Sequence, residues 1–72
     1  MLNKKEKEIY ARQVKCFMEE NNLRFIKNNQ RIRKQLKMNH IVLACVLQYL
    51  NQNGFLEPWN DKVYQVSHNL KG

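Results

Sequence analysis

A chain of 72 residues, 43% apolar and 26% charged, with two glycines and one proline, is too hydrophobic to be disordered and has room for one domain. Its formal net charge of +7 points to a polyanionic partner, and that size leaves no space for a separate sensor or catalytic domain. The opening residues hold no apolar run of the kind a secretory signal needs, and the longest apolar stretch, Ile41 to Leu47, falls far short of the roughly 20 residues of a membrane span.

The first element is an amphipathic helix. Asn3 followed by Glu6 has the pattern of a capping box and starts a helix near Lys4. Tyr10, Val14, Phe17 and Met18 fall on one face, widened by Ile9 and Cys16, while Lys4, Glu8, Arg12, Lys15 and Glu19 fall on the other. Asn21-Asn22 supplies a left-handed stop, with Leu23 folding back as its hydrophobic contact. Leu23 to Ile26 is too short for a helix between these stops and is read as a brief extended piece. Asn28 or Asn29 then caps a short second helix from about Gln30 to Lys37, in which Ile32 and Leu36 form the buried side. Arg33, Lys34 and Lys37 face away, with Arg31 at the edge.

Met38-Asn39 makes a tight turn, and Asn39 caps a third helix over His40 to Asn53. Leu43, Val46, Leu47 and Leu50 stand at i, i+3, i+4 and i+7 and form its inward stripe; Gly54 ends it. Phe55-Leu56-Glu57 and Val63 to Val66 are predicted strands joined by a turn at Asn60-Asp61. Pro58 donates no ladder hydrogen bond, so the first of the two must be short or lie on an edge. The ordered core is expected over residues 4–66 of a single domain, with 67–72 as a loose tail.

Charge is distributed unevenly along this order. Between Asn21 and Leu56 there is no acid, but there are six bases: Arg24, Lys27, Arg31, Arg33, Lys34 and Lys37. Such a one-sided field favours phosphate contact, and these six residues are the candidate set for it. Catalysis is not expected, and neither is a cofactor or metal. The chain has no glycine-rich phosphate loop, no Cys-His pair at metal spacing and no acid–base constellation. Cys16 and Cys45 do not make a disulfide framework, and are expected to be small buried or half-buried thiols of a reducing compartment, cytoplasmic or nucleoid-associated.

Helix, short strand, helix, tight turn, helix and hairpin is also the order of the winged helix-turn-helix superfamily. From about Lys5 to Val66 this chain resembles that superfamily through Ile32, Leu36, Leu43, Leu47, Leu50, Gly54, Leu56 and Tyr64. The stretch Leu47-x-x-Leu50-x-x-x-Gly54-Phe55-Leu56 carries the likeness best. The resemblance implies a mainly α fold of three helices with a small β-hairpin wing and two or three short strands. It implies duplex DNA binding in transcription, replication or recombination control, with the second helix on the phosphate backbone and the third in the major groove. On that pattern Arg31, Arg33, Lys34 and Lys37 face phosphate, and Asn39 and His40 lie at the leading end of the third helix. Ile41, Ala44, Cys45, Gln48 and Gln52 form its outward face, and Lys62 marks the wing tip. Gln48 has the groups to bond the N6 and N7 edge of adenine.

This third helix departs from the usual pattern in having no arginine or lysine. Ile41, Val42, Cys45 and Tyr49 are instead expected to make an outward apolar patch for a second subunit or a partner protein. Two alternative functions follow: a winged-helix interaction module, and an RNA- or ribosome-binding protein using the same basic face. Trp59 is expected to pack across the hairpin.

Overall fold

The computed structural model describes residues 2–67. It contains α1 (Lys4–Glu20), β1 (Phe25–Lys27), α2 (Gln30–Leu36), α3 (His40–Gln52), β2 (Leu56–Pro58) and β3 (Val63–Val66). The three strands form one antiparallel sheet in the order β1-β3-β2, with Ile26 opposite Tyr64 and Leu56 opposite Val66. The last strand therefore lies between the first two. Three helices and a small antiparallel sheet make a winged-helix-like, mainly α arrangement. No helix among the described residues is long and apolar enough to cross a membrane.

Every helix starts on asparagine. The Asn3, Asn29 and Asn39 side chains each accept the backbone N–H three residues on, from Glu6, Ile32 and Val42, all at 2.8 Å. At Asn3 the box is closed by Glu6, whose carboxylate accepts the Asn3 N–H. Every helix also stops the same way. Asn22, Lys37 and Gly54 have φ of 54°, 58° and 91°, and the next residue donates its N–H back into the last turn. Leu23 bonds the carbonyl of Met18, Met38 that of Arg33, and Phe55 that of Leu50. This is the reversal in which a left-handed residue redirects the chain and an apolar one folds onto the helix end. At Lys37 it shortens α2 by one residue relative to the sequence reading, because a left-handed residue cannot continue the helix.

The core is the inward stripe of α3 packed between α1 and the sheet. Leu43, Val46, Leu47 and Leu50 are all 2% exposed or less, as the spacing predicts. Ala11, Val14 and Met18 of α1, Ile26 of β1 and Leu56 of β2 close around them. Burying side chains of this size contributes about 1.5–3 kcal/mol each.

Several expectations are corrected. In α1 the buried line runs through Ala11, Val14 and Met18, while Tyr10 and Phe17 are half-buried at its margins. Ile9 is half exposed and Cys16 exposed, since both lie about half a turn from that line and so do not widen it. Cys45 is half-buried, and both thiols are free. Ile32 and Leu36 are also only half-buried, because a seven-residue helix on the rim covers the core with one row. Met38, read from sequence as a turn residue, is 7% exposed: the reversal at Lys37 swings it inward. The extended piece predicted over Leu23–Ile26 is β1 at Phe25–Lys27. The strand predicted over Phe55–Glu57 is β2 at Leu56–Pro58, an edge strand, where Pro58 is tolerated. Ser67 is tied to Phe55 by a 2.9 Å backbone bond rather than loose; the remaining tail, 68–72, lies outside the described residues.

Candidate nucleic-acid interface

The wing turn is built by Asn60. Its side-chain oxygen accepts the N–H groups of Lys62 (2.8 Å) and Val63 (3.0 Å), while Trp59 and Asn60 donate to the Val63 carbonyl. That asparagine turn holds Lys62 exposed at the tip. Beside it in the sheet, β1 ends at Lys27, paired with Val63, and the chain turns through Asn28 and Asn29 into α2. Both border a groove of about 360 Å³ lined by Lys27, Asn28, Asn29, Ala44, Leu47, Asp61, Lys62 and Tyr64. Lys27 and Lys62, far apart in sequence, thus converge on one hollow that α3 also lines.

Hydrogen bonds of Asn28 brace one wall of the groove. Asn29 is the cap of α2, which frees Asn28 for a tertiary role. Asn28 Oδ1 accepts a hydrogen bond from Arg33 Nη1 at 2.7 Å, and its Nδ2 donates to the His40 carbonyl at 3.0 Å. One amide thereby ties β1's exit, the middle of α2 and the first turn of α3. Arg33, expected to face solvent, is half-buried because of this bond.

The other candidates fall into three groups. Arg31, Lys34 and Lys37 are exposed on α2 and its stop, and His40 and Asn39 are exposed at the head of α3, where the Asn39 side chain is used as the cap. Gln48 is exposed one turn beyond Ala44, with Gln52 a turn further. Arg24 is not brought to the groove. It lies at the opposite end of β1 in a separate hollow with Met18, Glu19 and Phe55, and its carbonyl accepts from Val66. The acid-free block is also not acid-free in space, since Asp61 from the wing lines the same groove as Lys27 and Lys62.

The four residues expected to make one outward apolar patch divide. Ile41 is 70% exposed on the outer face of α3. Val42 and Tyr49 are half-buried and pack against the core, and Cys45 is half-buried between these positions. At 100° per residue Ile41 falls beside Gln48 and Gln52 on the outward face with Cys45 next to it, while Val42 and Tyr49 turn toward the core.

Trp59 packs as a neighbour of a residue the sequence reading passed over. Its ring meets Phe25 edge-on, centroids 5.3 Å apart and planes at 73°. Phe25 on β1 and Trp59, the residue after β2, meet across β3, which the β1-β3-β2 order allows. Alternation along β1, with Ile26 buried between exposed Phe25 and Lys27, was the available signal for an outward Phe25.

Comparison of the chain with protein-family models, with curated proteins and with solved structures found no match in any of the three.

Proposed function

We propose that this protein binds duplex DNA, gripping the phosphate backbone through the groove between the wing and the β1–α2 turn and through the exposed bases of α2. The observation that carries this reading is the convergence of Lys27 and Lys62 on one hollow that Ala44 and Leu47 of α3 also line. Two cations brought together beside α3 offer charge-assisted bonds to phosphate oxygens. Arg31, Lys34 and Lys37 extend the positive field along α2. The outward face of α3, with Ala44 and Gln48 and no charge, contributes shape and a single amide rather than an array of base-reading cations. Sequence preference is therefore expected to be modest against backbone affinity, which suits a regulator of transcription, replication or recombination that acts with other bound copies or proteins.

Fluorescence anisotropy with labelled duplex DNA over a salt series tests the proposal. Neutralising about five phosphates gives a slope of log affinity against log salt of about −4 to −5. No binding at low salt, or binding without salt dependence, would rule it out. Competition with structured RNA distinguishes the RNA-binding alternative, which requires RNA to displace the duplex.

A further inference from the structure

The outer face of α1 carries a stripe that the DNA-binding reading does not use. Lys5, Ile9, Arg12, Gln13, Cys16 and Glu20 are all exposed and succeed one another at steps of one, three or four residues. They lie about half a turn from the buried line of Ala11, Val14 and Met18. All but Lys5 border a shallow surface hollow together with Phe17. Ile9, 50% exposed, is one of four large hydrophobic side chains left in solvent among the described residues. None of these residues lines the groove that holds Lys27 and Lys62.

The order of side chains along this stripe is self-complementary when reversed. We infer that α1 is a dimerisation surface for a second copy of this chain, with the two α1 helices antiparallel about a two-fold axis passing between Arg12 and Gln13. In that pairing Ile9 falls opposite the partner's Cys16, and Lys5 opposite the partner's Glu19 and Glu20. By symmetry each contact occurs twice. Parallel pairing would set lysines against lysines at one end and glutamates against glutamates at the other. Antiparallel pairing also opposes the two helix dipoles. Gln13 and Arg12 straddle the axis; the Arg12 pair is the one like-charge approach, and Glu8 one turn earlier on each helix supplies its counter-charge. Lys15 does not compete for the seam, because its ammonium lies over the Phe55 ring at 5.1 Å, on the inner side. With only Ile9 and Cys16 as apolar contacts, the dimer is weak and reversible. Its role is to raise the local concentration of a second DNA-binding face.

Cysteine cross-linking tests the geometry, in a Cys45→Ala background. Ile9→Cys, keeping Cys16, places thiols opposite one another across the seam. Mild oxidation should give disulfide-linked dimers on a non-reducing gel. Within one helix the two thiols are about 10 Å apart, too far to close on themselves. The background with Cys16 alone, and Ile9→Cys combined with Cys16→Ser, should stay monomeric, since like positions are again separated by about 10 Å. Equal cross-linking of the single-thiol chains, or none with the pair, overturns the proposal.

Sedimentation equilibrium supplies a second readout without thiols. Lys5→Glu should weaken self-association about tenfold, and adding Glu19→Lys and Glu20→Lys should restore it. Both changes suit the helix dipole, so loss of α1 cannot mimic the result. Failure of the triple variant to recover, or a native chain that remains monomeric throughout, sinks the inference. Either result leaves the DNA-binding reading standing, because the anisotropy assay does not depend on this surface.

Discussion

Arg33 donates to Asn28 at 2.7 Å, and the same Asn28 amide donates to the backbone carbonyl of His40. A residue in the turn after β1 thus links the two helices of the candidate interface. The Arg33 charge is partly committed to structure, which leaves Arg31, Lys34 and Lys37 as the exposed bases of this segment.

Asn28→Ala removes both bonds and leaves the half-buried Arg33 guanidinium without this partner. The expected cost is about 1–3 kcal/mol in urea denaturation. Asn29→Ala, which removes only the cap of α2, should cost about 1 kcal/mol. If Asn28→Ala proves the milder of the two, the amide is not the link described.

Lys37 separates stability from binding. Its φ of 58° is a conformation that costs a non-glycine residue about 1–2 kcal/mol. Lys37→Gly should therefore leave the protein as stable or slightly more stable while lowering DNA affinity, because one cation is lost. Gly54→Ala is the converse. No atom lies within 4 Å of an added Cβ, so the expected loss of about 1 kcal/mol comes from the backbone at φ 91° alone. Thermal denaturation and anisotropy on the same samples read both effects.

The groove predicts a ranking of charge reversals. Lys27→Glu and Lys62→Glu should each weaken DNA binding more than Arg24→Glu, although Arg24 immediately precedes the strand that Lys27 ends. Each lost phosphate contact should make the salt slope shallower by about 1. Equal effects at all three positions would indicate a diffuse field and not the groove.

The aromatic pair should couple. In a double-mutant cycle of Phe25→Leu and Trp59→Leu, the interaction term is expected at about 0.5–1.5 kcal/mol. Trp59 is the sole tryptophan, so Phe25→Leu should also change its fluorescence. Additive stabilities with an unchanged spectrum would show that the edge-on contact contributes nothing in solution.

Local chemistry made much of this fold legible in the residues themselves. The asparagine caps, the stops at Asn22 and Gly54 and the stripe from Leu43 to Leu50 act within one or two helical turns, so they can be read from neighbouring positions. The stop at Lys37 was not readable, because lysine has no intrinsic preference for the left-handed region and tertiary packing imposes it.

The rest depends on contacts between distant segments. Inserting β3 between β1 and β2 brings Phe25 to Trp59, and the wing carries Lys62 and Asp61 to the groove beside Lys27. The freeing of Asn28 to bridge α2 and α3 is of the same kind. Where the helices start and which face of each is apolar are short-range matters of capping and periodicity, so neighbouring residues encode them. Which charges share a surface follows from strand order and register, which no local stretch encodes.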